Sequence, residues 1–239
     1  MQKITVFHTN DFHNRLTQEQ AARLKEMKDS VPNSLLLDCG DAIWAGNIYF
    51  RPDGEPVLKL MNDAGYDAMA LGNREFHFLA TGLRKKIGWA EFPVLSANIR
   101  STNHTGLPVK SDVTFDIGGI KVVVFGLTVP MITERMLSRK VSCCVFDDPI
   151  KTATALVPGL RERADILIAL THIGLKKDKE LAATVPEIDL IVGGHTHTVL
   201  ESPEWVGKTA IVQAGWFAHY VGKVEIDAPG KISAVLMNL

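Results

Sequence analysis

Five short β-like runs punctuate the chain: KITVFH (3–8), SLLLDC (34–39), DAMAL (67–71), DILIAL (165–170) and IDLIVG (188–193). DILIAL and IDLIVG in particular read as strands buried on both faces, which is how parallel sheets covered by helices are built. Helical patterns at 18–29, 55–65, around 80–88 and at 176–185 separate the runs. FPVLSA (92–97) reads as a further strand, and DVTFDIGGIKVVVFGL (112–127) as a hairpin turning at its Gly-Gly. The stretch 149–164 is helical in part, with Pro158 and Gly159 expected to interrupt it. Three β runs and no helix close the chain, at 209–215, 219–227 and 232–239. The expectation is a mixed α/β architecture, sheets sandwiched by helices, in one domain over residues 1–239.

Composition removes several partners. A hydrophobic content of 46% with 22% charged residues is ample for a large core. The net charge of −1 offers no electrostatic reason to expect nucleic acid or an anionic membrane as partner. No apolar run approaches the ~18–20 residues that span a bilayer. The opening MQKITVFHTND lacks the basic and apolar regions of a signal peptide, so the expected location is the cytoplasm. Cys39, Cys143 and Cys144 have neither a disulfide-framework nor a CxxC spacing, and read as buried structural residues.

The residues just past each strand carry the chemistry. After KITVFH come Asp11 and His13; after LLLDCG, Asp41; after AMALG, Asn73, Arg74 and His77; after DILIAL, Thr171 and His172; after DLIVGG, His195 and His197. Ligands of α/β sheets bind at the carboxyl ends of strands, so five such endings at one sheet edge would form one polar site. Held extended, 195–197 would point its two imidazoles to opposite sides, whereas a tight loop would aim them at two adjacent metals. Imidazole, carboxylate and amide oxygen without thiolate suit Mn²⁺ first, then Fe, Zn²⁺ or Co²⁺, over Ca²⁺. The ligands are too many for one tetrahedral ion, which points to two.

In HTNDFH (8–13), LDCGD (37–41), LGNREF (71–76), THIG (171–174) and GGHTHT (193–198) the chain resembles the calcineurin-like metallophosphoesterase superfamily. More closely, it resembles the catalytic domain of the 5′-nucleotidase family, whose closing strand pair VQAGWFAHYVGKVEID is similar to. The resemblance implies a four-layer αββα sandwich and a dinuclear metal-dependent phosphoesterase whose nucleophile is a hydroxide shared by both ions. It places Asp11, His13 and His197 on one metal, Asn73, His172 and His195 on the other, and Asp41 between them. The implied substrate is a small-molecule phosphate ester or a nucleotide.

Two departures from the family pattern stand out. The family's usual GNHEFD places a His after the ligand Asn and an Asp three positions on; here Arg74 and His77 occupy those positions. Arginine, with a pKa above ~12, is no general acid, but its fork grips phosphate oxygens. Histidine is the side chain suited to proton transfer near neutral pH, which makes His77 the candidate acid. The competing structural reading pairs Arg74 with Glu75 or another carboxylate, and packs His77 against Phe76 or Phe78. Monoester and diester specificity stay open, because leaving-group handling lives in this pair. The second departure is that the sequence stops at Leu239 without the family's C-terminal substrate domain. Two rival readings are a fold-conserving scaffold that binds protein partners and an amide-cleaving zinc hydrolase; the latter would expect HExxH, which is missing.

Overall fold

The computed structural model describes residues 3–103, 106–227 and 230–239. The first half runs β1 (Lys3–Thr9), α1 (Gln18–Asp29), β2 (Ser34–Asp38), α2 (Pro56–Ala64), β3 (Ala68–Ala70), α3 (Ala80–Ile87), β4 (Val94–Leu95), β5 (Ile99–Ser101), β6 (Asp112–Ile117) and β7 (Ile120–Thr128). The second half runs β8 (Cys144–Phe146), α4 (Pro149–Arg161), β9 (Ile166–His172), α5 (Leu175–Thr184), β10 (Leu190–Val192), β11 (Glu204–Val206), β12 (Thr209–Val212), β13 (Tyr220–Asp227) and β14 (Lys231–Asn238).

Two six-stranded mixed sheets result, in the orders β14-β13-β1-β2-β3-β4 and β11-β12-β10-β9-β7-β6. β1 to β4 are parallel neighbours in the first sheet. β7, β9, β10 and β12 are parallel neighbours in the second. The period of two along each strand sorts side chains between layers. Ile4, Val6, Leu35 and Leu37 join Ile168 and Leu170 in a core between the sheets. Phe7 and Leu36 face the other way into the core that holds Leu24 of α1 and Leu58 of α2. Leu167 and Ala169 pack with Val157 of α4 and Leu181 of α5. The four αββα layers follow from that alternation. No helix among the described residues is long and apolar enough to cross a membrane.

Several local expectations need correction. α4 runs unbroken through Pro158 and Gly159 to Arg161. Its buried Val157 and Leu160 hold the last turn against the second sheet, and packing outweighs the single hydrogen bond that proline removes. The strand expected at 92–97 shrinks to Val94–Leu95, because Ser96 already turns to donate to the Lys110 carbonyl. The β5–β8 ribbon and β11 lie in sequence without apolar alternation, and only their partners make them strands. All three cysteines are free and buried, as expected.

His8 is a core histidine with no part in the polar cluster. Register places it opposite Gly222 of β13, where a Cβ would lie 1.9 Å from its Nε2, so only glycine leaves room for the ring. Burial lowers its pKa to about 3. The unfolded chain therefore binds a proton near pH 6.5 that the folded chain refuses until about pH 3; stability is full above that window and falls as pH drops through it. Urea unfolding between pH 7 and 4 should show this loss, flattened in His8→Gln. Gly222→Ala should cost roughly 1–3 kcal/mol at neutral pH by overpacking.

Candidate metal centre

The loops that follow β1, β2, β3, β9 and β10 converge on one edge of the two sheets, and hydrogen bonds tie several of them together. Asp11 and His13 donate their N–H groups to the carbonyls of Gly40 and Asp41, at 3.0 Å each, which ties the loop after β1 to the loop after β2. The loop after β3 approaches as closely: a Cβ on Gly72 would lie 2.2 Å from the Asp41 nitrogen. The chain takes left-handed backbone to make these turns. Nine described non-glycine residues have positive φ, and five of them are Asp11, His13, Asp41, His195 and His197. Such conformations cost about 1–3 kcal/mol each, and their concentration at one place is the mark of a constrained site.

Two groups of ligand atoms close up within 4.8 Å: Asp11, His13 and His197, and Asp11, Asp41 and His172. In the first, the Nε2 atoms of His13 and His197 face each other at 3.1 Å, with Asp11 Oδ1 at 3.7 and 3.3 Å from them. In the second, His172 Nε2 lies 3.4 Å from Asp41 Oδ1 and 3.2 Å from Asn73 Oδ1. The His195 ring stands edge-on to that of His172, centroids 5.0 Å apart. The tight loop, with φ of 77° at His195 and 55° at His197, sends the two imidazoles of H-x-H to different groups. The family resemblance implies Asp41 in the shared position; in the two ligand groups found here Asp11 is the carboxylate common to both.

The donor set fits cations. Asp11 has no exposed surface, and its Oδ1 is buried without a hydrogen-bond partner. Its Oδ2 is satisfied by the Asn10 amide at 2.8 Å and the His195 N–H at 2.9 Å, so the carboxylate is aimed. His172 Nδ1 sits 2.7 Å from the Cys39 carbonyl, a donor role that leaves Nε2 turned toward Asp41 and Asn73. Burial alone would lower His172, but Asp41, with Asp11 and Glu75, raises it to about 10. Burial would raise Asp41, and His172 pulls it instead to about 2. To hold a cation here, His172 would give up its Nε2 proton and the carboxylates would pair with the ion instead. Burial lowers His13 and His195, while the contact with Asp11 raises His197.

Arg74 and His77 part company. The Arg74 backbone N–H donates to Asp41 Oδ1 at 2.7 Å. Its guanidinium reaches over the Trp44 ring, 5.3 Å from the centroid, with Nε 3.9 Å from Asp41 Oδ2. At 35% exposure and that distance, it is beside the cluster without being locked into an ion pair. His77 is directed elsewhere. Its ring is buried, edge-on to Phe50 at 5.3 Å, and its Nδ1 accepts from the Leu79 N–H at 3.0 Å. None of its described contacts is with the cluster, and the packing partner is Phe50, neither Phe76 nor Phe78.

Three further residues hold the site, two of them, Asn10 and Glu75, inside the motifs HTNDFH and LGNREF. Glu75, fully buried, accepts from the N–H groups of Asp41, Ile43 and Gly72 at 2.9, 3.2 and 2.9 Å, and so joins the loops after β2 and β3. Burial and Asp41 push its pKa up to about 7 against those donors. Lys86 of α3, also fully buried, donates to the carbonyls of Gly46, Arg74 and Phe76. A lysine one turn from Leu83 and beside Ile87, both buried, was the available signal for it. Asn10 bridges Asp11 to the N–H of Ala214.

A family model described as calcineurin-like phosphoesterase matches residues 4–199. The trifunctional nucleotide phosphoesterase protein YfkN of Bacillus subtilis is 34% identical over 99% of this chain and 19% of its own length. A 5′-nucleotidase of Vibrio vulnificus is 32% identical over 94% of this chain and 49% of its own. The chain therefore spans about half the length of one curated relative and about a fifth of the other. Among solved structures, a 5′-nucleotidase precursor from Thermus thermophilus superposes with a TM-score of 0.81 at 27% identity, over 99% of this chain and 55% of that one.

Replacing Glu75 by Gln should leave a backbone N–H facing an amide NH₂ in the interior. The expected cost is about 1–3 kcal/mol in denaturant unfolding. Mn²⁺ affinity should weaken by roughly 10–100-fold in calorimetric titration.

Proposed function

The chain belongs to the calcineurin-like phosphoesterase family, and from that premise we propose that it hydrolyses small-molecule phosphate esters, nucleotides among them, with two divalent metal ions. That family chemistry is metal-dependent phosphoester hydrolysis. The observation that carries the dinuclear reading is Asp11, which belongs to both ligand groups and whose buried Oδ1 has no hydrogen-bond partner. Asp11, His13 and His197 would hold one ion, and Asn73, His172 and His195 the other, with Asp41 and Asp11 available to both. When bound, such a pair supplies Lewis acidity and a water acidic enough to attack phosphorus near neutral pH.

The remaining work falls to the chain's own groups. Arg74 neutralises charge growing on the phosphoryl oxygens, since its guanidinium is permanently ionised and only loosely engaged by Asp41. It has no proton to give. His77 supplies none either in this reading, because its ring is packed on Phe50 and its Nδ1 is occupied by Leu79. Proton delivery to the leaving oxygen then comes from solvent, which favours esters of acidic alcohols. The names of the relatives support nucleotides as one class of substrate.

The test is hydrolysis of 4-nitrophenyl phosphate and of a 4-nitrophenyl phosphodiester by Mn²⁺-loaded protein. Asp41→Asn should lower turnover of both by roughly two orders of magnitude or more. If neither ester turns over while two ions are bound, the scaffold reading gains. Arg74→Ala should lower kcat/KM by about 10–1,000-fold. Unchanged kcat and KM in that variant would leave Arg74 as a prop for Asp41. Across a series of aryl phosphates, rate should rise steeply with leaving-group acidity; a flat profile would mean that a protein group protonates the leaving oxygen.

A further inference from the structure

The rings around the cluster are distributed unequally. The His13–His197 side is walled by aromatic residues. Trp44 stands edge-on to His13 with centroids 5.4 Å apart, Phe217 does the same at 5.6 Å, and Trp216 stacks on His197 at 5.8 Å and 20°. The described ring contact of His172 and His195 is with each other. The wall is built in with strained backbone: Phe217 has φ of 58°, and its N–H donates to the Asp11 carbonyl at 2.9 Å.

Trp44 is the member left open. It lies three residues after Asp41 in the loop between β2 and α2, and 53% of its surface is exposed. An exposed tryptophan alone carries no message. This one is held from several sides, by His13, by Phe217 at 6.5 Å and 44°, and by the Arg74 guanidinium. Its orientation is therefore settled before any ligand arrives, and the half-exposed ring stands against His13 of the first ligand group and against Arg74. A flat ring stacked there gains dispersion and quadrupole complementarity that a saturated ring of the same size does not.

We propose that Trp44 is a specificity-determining platform, on which a planar ring carried by the alcohol part of the ester stacks while the phosphate lies between the ligand groups and Arg74. This rests on the phosphoesterase reading and adds the direction of the substrate: phosphate toward Asp41, organic group toward the His13–Trp44 side. The class favoured is a phosphate ester whose alcohol bears an aromatic ring within a few bonds of the phosphorus, as against aliphatic or saturated-ring esters of equal size.

Non-hydrolysable probes separate this from turnover. Phenylalkyl phosphonates with one to three methylenes are compared with their cyclohexylalkyl counterparts by calorimetric titration into Mn²⁺-loaded protein. The wild-type chain should bind at least one phenyl member roughly two- to tenfold tighter than its cyclohexyl twin. In Trp44→Leu that ratio should fall to about one, and in Trp44→Phe most of it should remain. A ratio of one throughout the wild-type series, no binding of either kind, or a ratio that survives Trp44→Leu overturns the proposal. Selective binding that disappears in Trp44→Leu, in a protein that hydrolyses no ester, would sink the catalytic reading and leave the platform standing.

Discussion

A carboxylate with no access to water must be paired, protonated or bound to a cation, and Asp11 is held so that one oxygen has none of the usual partners. Its Oδ2 is fixed by Asn10 and by the backbone of His195; Oδ1 is left to face His13 and His197. That arrangement joins the two sheets, because Asp11 follows a strand of the first and His195 a strand of the second. The rest of the site is organised around this junction. The loop after β2 hydrogen-bonds the backbone of Asp11 and His13, and the loop carrying Phe217 donates to the Asp11 carbonyl.

The junction needs backbone that most residues avoid, and the fold supplies support where strain is highest. Glu75 gathers three N–H groups and Lys86 three carbonyls, each from turns that would otherwise bury unsatisfied polar atoms. Burying a carboxylate and an ammonium costs several kcal/mol per ion before pairing. The chain accepts this where it turns the loops after β2 and β3 against each other. Such a frame limits the freedom of Asp41 and Asn73 before any ion arrives, which is what a precisely spaced ligand set requires.

Much of this was legible in the residues. Apolar runs interrupted by helical periodicity foretold parallel strands with helices on both sides, and the polar residues after those runs foretold where a site would form. Local reading failed where distant contacts decided. Pro158 sits in a helix because Val157 and Leu160 have a sheet to pack on. β11 exists because β12 pairs with it. Glu75 looked like the partner of its neighbour Arg74, yet it serves the backbone of residues up to 34 positions away in sequence. His77 stands four positions from Asn73 in sequence but turns to Phe50.

The layers and the inventory of the site are properties of the residues in order. Period-two burial assigns each strand side chain to one core or another, and strand ends are where polar residues can be exposed to one another. Which members of that inventory meet depends on contacts between distant segments. Register and loop lacing made Asp11 the carboxylate common to both groups, sent His195 and His197 apart through left-handed turns, and laid Arg74 over Trp44. The physical reason is that strand propensity and burial are properties of short windows. The direction of a loop side chain is set by hydrogen bonds and packing from segments a hundred or more residues away, as the Cys39 carbonyl sets that of His172.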